Sequence, residues 1–257
     1  MKVTVCTLCV LVCAWSLSAS GQTESPSTPV EIELLAAASL TDALEECIKE
    51  FSLIDRDSTI RAVYGSSGTL RRQIEQGAPA DLFISAAPRF IDELEHAGML
   101  VAGSRVNLLK NTLVLVVPGD SAGISALEDL ASASVERIAL GDPASVPAGQ
   151  YALEALKWSS IDHLVMQKAV LAKDVRQVLA WVETGAVDAG FVYSTDALMG
   201  KGVRVASECP PESYPVILYP AALVSTGSVK PEARRFLSWL GGPEARAIFR
   251  RHGFGVP

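Results

Sequence analysis

The chain has 257 residues, of which 49% are hydrophobic and 20% charged, with a formal net charge of −7. This is enough chain and enough apolar surface for one large domain or two modest ones with a substantial core. The negative balance speaks against a nucleic-acid partner, and any anionic ligand has to be held by local dipoles against the long-range field.

Residues 1–20, MKVTVCTLCVLVCAWSLSAS, pair a single basic residue, Lys2, with an apolar core and a small-residue stretch. They read as a signal peptide, too short and too weakly flanked for a membrane span. Its removal would take the net charge to −8, because Lys2 is its one charged residue. Cys6, Cys9 and Cys13 lie inside it, so the CTLC spacing is not read as a redox motif. Lipidation needs a small residue before the modified cysteine, and Val12 precedes Cys13. Residues 21–29, GQTESPSTP, read as a disordered leader.

From residue 30 the chain alternates strand and helix patterns. Strands are expected at EIELLA (31–36), STIRAVY (58–64), DLFISA (81–86), TLVLVV (112–117), RIALG (137–141), AGFVY (189–193) and PVILYPAALV (215–224). Leu40, Ala43, Leu44, Cys47, Ile48 and Phe51 recur at helical spacing and form one apolar face. Val175, Val178, Leu179 and Val182 repeat the pattern, and 231–251 reads as helix broken at GGP (241–243). Such alternation argues for α/β architecture with mainly parallel sheets flanked by helices, and for ligands beyond the carboxyl ends of the strands. Cys47 and Cys209 are the cysteines outside the signal segment. Export permits a disulfide between them, while the place of Cys47 on the apolar helix face favours a buried free thiol.

Four strand-to-helix corners share a composition. AAASLTDAL (36–44) puts Ser39 where an N-cap belongs, with Asp42 three residues on, close to a capping box. VYGSSGTL (63–70) flanks Ser66 and Ser67 with glycines. GDPASVPAG (141–149) starts a helix at Pro147, and AKDV (172–175) offers Asp174 as an N-cap. Unsatisfied N–H groups and the helix dipole make each corner attractive to an anion without any cation, and small residues let the anion approach. Packing alone produces many such corners in α/β chains.

At these corners the sequence closely resembles the periplasmic molybdate-binding proteins of ABC transporters. The stretches that carry the likeness are AAASLTDAL, GSSGTL, QIEQGAPADLFISA, GDPASVPAGQYALEAL, KDVRQVLAWVE, GFVYSTDA and IFRRHGF, spread over about 31–254. The resemblance implies a two-lobed type II binding-protein fold: lobe 1 at 30–110 plus 222–257, lobe 2 at 111–221, and crossing strands near 107–117 and 214–224. It implies that molybdate or tungstate is held in the interlobe cleft by Ser39 and Ser67 through hydroxyl and backbone, by the backbone N–H groups of Ala148 and Val175, and by the Tyr193 hydroxyl. The family's pattern varies around Gly68. It further implies an ABC permease as partner, a periplasmic monomer, no cofactor and no catalysis. The metal of the ligand is then reached only through its oxygens.

The residues themselves fit that chemistry. All five donors are neutral, which suits a permanent dianion. Arg71 and Arg72 lie too far into the helix for an anion clamp and read as a solvated face or an inter-lobe ion pair. His96, His163 and His252 have no metal-ligand spacing. GSSG lacks the Gly-x-Ser-x-Gly spacing of a hydrolase elbow. No corner carries the arginine fork an organic acid calls for, so sulfate or phosphate is the alternative ligand in the same fold.

Overall fold

The structure, a computed structural model, describes residues 29–225 and 229–257. The signal peptide and nearly all of the expected leader fall on residues 1–28, outside the described residues.

The chain begins with β1 (Val30–Ala37), a short 3-10 turn (Ala38–Leu40), α1 (Thr41–Ile54), β2 (Ser58–Gly65), α2 (Ser67–Glu75), β3 (Leu82–Ile84), α3 (Pro88–His96) and β4 (Val106–Asn111). It continues through β5 (Leu113–Pro118), β6 (Ile138–Gly141), α4 (Pro147–Trp158), α5 (Asp162–Met166) and β7 (Ala169–Ala172). Then come α6 (Val175–Glu183), β8 (Ala189–Tyr193), α7 (Ser194–Met199), β9 (Val203–Glu208), β10 (Ile217–Leu223), α8 (Pro231–Leu240) and α9 (Pro243–Arg251).

Two five-stranded sheets result, with orders β2-β1-β3-β10-β4 and β7-β6-β8-β5-β9. In the first, β1 runs parallel to β2 and β3, while β10 is antiparallel to both of its neighbours. In the second, β6 is parallel to β7 and β8, while β5 is antiparallel to β8 and β9. Each sheet is therefore parallel except for one reversed strand, second from an edge. The chain passes between the sheets at Thr112 and returns before β10.

The strands with continuous apolar runs lie centrally: β5 and β8 are buried nearly throughout. The edge strand β2 alternates, with exposed Arg61 and Val63. Two strands escape the sequence reading, β7 and β9, and β4 enters it only through the crossing strand near 107–117 that the resemblance implies. All three are edge strands, half exposed, and VNLLKN, AVLA and VRVASE are too mixed or too short to announce themselves. The helical face of α1 packs inward through Ala43, Leu44, Cys47 and Phe51. The Phe51 ring lies 5.0 Å from Phe236 and 5.5 Å from Trp239, tying α1 to α8. The GGP break separates α8 from α9 as the sequence indicates. Cys47 and Cys209 are both buried free thiols.

One glycine governs the packing of a corner. An added Cβ at Gly149, in the first turn of α4, would sit 1.8 Å from the Gly141 carbonyl oxygen at the end of β6. Only glycine lets the helix start this close to the strand, and that closeness fixes where the first N–H groups of α4 point.

Candidate functional site

Strand ends from both sheets meet at one small cavity, of about 10 Å³. Its walls come from Ala37, Ala38 and Ser39 after β1, from Gly65, Ser66 and Ser67 between β2 and α2, and from Ala86 beyond β3. The opposite walls are Val146, Pro147 and Ala148 at the start of α4, Asp174 and Val175 at the start of α6, and Tyr193 at the end of β8. Ser39, Ser67, Ala148, Val175 and Tyr193, expected from the sequence as donors, all line it and are all buried. The lining contains no lysine, arginine or histidine, and its single carboxylate is already engaged: Asp174 caps α6 by accepting from Gln177 N–H at 2.9 Å.

The first corner differs from its expected geometry. Residues 38–40 form a 3-10 turn, α1 begins only at Thr41, and its cap position is Leu40 without a side-chain bond. Ser39 therefore caps nothing. Its Oγ lies 3.0 Å from the Tyr219 hydroxyl. Asp42 forms no capping box and instead pairs with Arg176 Nη2 at 2.5 Å. Within this turn Thr41 Oγ1 donates to Ala38 O at 2.8 Å, and Ser39 stands in the cavity wall.

At the second corner Ser66 is the cap, accepting from Thr69 N–H. Ser67 follows at the first helical position, with its Oγ accepting from Ala86 N–H at 2.9 Å. Pro147 opens α4, which leaves Ala148 in the first turn, and Val175 is the first residue of α6. First-turn N–H groups have no intrahelical acceptor and are directed outward. The Tyr193 hydroxyl is buried and finds no hydrogen-bond partner among the described residues. Burial raises its pKa well above the ordinary phenol range, so it is present as a proton donor. An unpartnered buried hydroxyl calls for an acceptor inside the cavity.

Direct hydrogen bonds cross the cleft. Gly68 N–H donates to Ser145 O at 2.9 Å, and Arg89 Nη2 donates to Pro143 O at 3.1 Å and to Ala144 O at 3.4 Å. Arg176 joins Asp42 near the first sheet to Asp196, 3.0 Å from its Nε and fully buried on α7. Arg71 does not cross the cleft; it pairs with Glu75 and Glu93 on α2 and α3. The inter-lobe pair belongs to Arg176, which sequence reasoning passed over because it reads as an ordinary exposed helical residue. His252 binds Glu46 at 2.8 Å, and His96 binds the Asp92 carbonyl. Among the described residues no group of three or more His, Cys, Asp or Glu could hold a metal ion.

Known proteins share the family and the fold. The family model described as "Bacterial extracellular solute-binding protein" matches residues 32–255. The chain is 44% identical over 227 residues to the "Putative ABC transporter substrate-binding lipoprotein YvgL" of Bacillus subtilis (strain 168), covering 88% of this chain and 86% of the relative. It is 38% identical over 231 residues to the molybdate-binding protein ModA of Escherichia coli (strain K12), covering 88% and 89%. The solved structure of the Azotobacter vinelandii periplasmic molybdate-binding protein superposes with a TM-score of 0.78 at 26% identity, over 88% of this chain and 99% of that one.

Proposed function

The chain belongs to the bacterial extracellular solute-binding proteins, as a homologue of the molybdate-binding component of ABC transporters, and we propose that its cleft captures molybdate or tungstate. Ser39 and Ser67 bind the oxyanion through hydroxyl and backbone N–H, Ala148 and Val175 through backbone N–H, and Tyr193 through its hydroxyl. The closed oxyanion complex then docks on an ABC permease, which receives the ligand. The lobes, expected at 30–110 plus 222–257 and at 111–221 but with β10 (Ile217–Leu223) pairing wholly in the first sheet, close on it, as a monomer outside the cytoplasm. The lipoprotein relative supports membrane anchoring as a second mode of retention.

One observation carries the reading: five neutral donor residues, drawn from the ends of strands in both sheets, converge on one cavity whose lining holds no cation. Hydrogen bonds to a charged group contribute about 1.5–3 kcal/mol each. About seven of them suffice for a micromolar-to-nanomolar complex after the cost of closure. Size supplies the selection against sulfate. A smaller tetrahedron cannot reach donors on all walls at once and leaves some buried and unpaired.

The test is isothermal titration of the oxyanion-stripped chain with molybdate, tungstate, sulfate and phosphate. Tight one-to-one heat with the first two and little with the others supports the reading. Preference for sulfate or phosphate would keep the fold and replace the ligand, and no heat from any of the four would remove the oxyanion reading.

A further inference from the structure

Behind the cavity lies a hydrogen-bond chain whose direction is fixed from its far end. Asn111, the last residue of β4, has its Oδ1 2.9 Å from Thr112 N–H. A backbone N–H can only donate, so this contact settles which end of the amide is oxygen. The Ser194 hydroxyl donates to the same oxygen at 2.9 Å. The Nδ2 end must then donate, and it reaches Thr195 Oγ1 at 2.9 Å and the Tyr219 hydroxyl oxygen at 3.2 Å. Tyr219 is fully buried, with its ring held edge-on against Tyr193 and Phe254 at centroid distances of 5.8 and 5.5 Å. Its oxygen accepts from Asn111, and its own proton has an acceptor in Ser39 Oγ at 3.0 Å. Ser39 receives a proton from behind and is left to donate its own into the cavity.

Resting on the oxyanion reading, we infer that Tyr219, oriented by Asn111, is a positioning residue that makes Ser39 a donor, so that the site refuses anions that carry a proton. A serine hydroxyl in isolation donates or accepts by rotation. Here rotation would leave the Tyr219 proton buried and unpaired, which opposes it. The second serine is polarised in the same sense: Ser67 Oγ accepts from Ala86 N–H, leaving its proton for the cavity. A protonated oxyanion such as hydrogen phosphate needs one acceptor on the wall, and each of these hydroxyls already spends one lone pair on a protein donor and has its proton left for the cavity.

The test is a double-mutant cycle read by molybdate titration of the stripped full chain. Tyr219→Phe keeps the ring and removes the hydroxyl. It is expected to weaken molybdate about tenfold in the native background and less than about twofold when Ser39 is already alanine. In the same variant phosphate is expected to gain on sulfate as a competitor for the molybdate site, because Ser39 is free to accept. A structural defect would weaken binding equally in both backgrounds and leave that ratio unmoved. Asn111→Ala frees the Tyr219 hydroxyl to rotate and supplies the same cycle if Tyr219→Phe fails to fold. Equal losses with and without Ser39, no loss, or no gain of phosphate over sulfate would overturn the inference while the oxyanion reading stands. A native chain that binds none of the four anions would overturn both.

Discussion

Gly149→Ala tests whether the corner at α4 is set by backbone proximity. The new methyl would begin 1.8 Å from Gly141 O and 2.5 Å from the Gly141 carbonyl carbon. Relief to an ordinary contact of 3.4 Å moves the first turn of α4 by about 1.6 Å. No flexible side chain is present to yield, because strand β6 is held on both sides by β7 and β8. Overpacking typically costs about 1–3 kcal/mol, and the upper end applies where backbone meets backbone. In a protein of this size that corresponds to a fall in Tm of roughly 6–12 °C. The same movement carries the Ala148 N–H beyond hydrogen-bond range of an anion seated on the other walls. The lost charge-assisted bond is worth about 1.5–3 kcal/mol, or roughly 10–150-fold in Kd. Thermal melting and molybdate titration read the two effects separately. A variant with native Tm and native affinity would refute the packing argument, and one with lowered Tm but native affinity would remove Ala148 from the ligand set.

Asp42→Asn breaks the cross-cleft pair while leaving Arg176 beside Asp196; both partners are partly exposed, so the effect is about 0.5–1 kcal/mol, a two- to fivefold rise in Kd that shrinks at high salt. Stability should depend on pH through Asp196: burial, opposed by the Arg176 guanidinium, raises its carboxyl from 3.8 to about 7. The folded chain then holds a proton that the unfolded chain has lost between these values, so this contribution to stability is present below about pH 4 and declines as pH rises to about 7. Urea unfolding should accordingly show Asp196→Asn gaining on the native chain across that window by roughly 4 kcal/mol, and a pH-independent difference would contradict it. Burial also pushes the Cys47 and Cys209 thiols up to about 12, so neither should react with a thiol reagent at pH 8 until the chain is unfolded; rapid labelling of the folded chain would show that one of them is reachable.

The periodic elements were legible because their pattern is local. The apolar face of α1 and the buried runs of β5 and β8 need no knowledge of the partner. Edge strands β4, β7 and β9 carry no such pattern, since half their side chains meet water. The site residues were found at the corners through their likeness to a family, and the structure brings all five to one cavity. Local chemistry misjudged Ser39 as a cap, because a 3-10 turn and a capped α-helix begin with the same residue types. Tyr219 was unreachable from sequence: its partner Ser39 lies 180 positions away, and within PVILYPAALV it reads as one more apolar strand residue. Arg176 was hidden for the same reason, with Asp42 134 positions off.

The strand order has a consequence for how the chain assembles. All five strands of the second sheet lie within 113–208, so that sheet is complete once this stretch is available. The first sheet is not: β10 sits between β3 and β4, and β4 pairs with no other strand. The earliest residues therefore wait for 217–223 before their sheet can close, and their pairing spans more than 100 positions, a separation that slows folding. During that interval β3 and β4 present unpaired edges. A chain cut after β9 keeps every strand of the later sheet but loses the wedge that joins the earlier one. The sheet that holds Ser39 and Ser67 is thus the last to be completed, although its first strands are the first to be made.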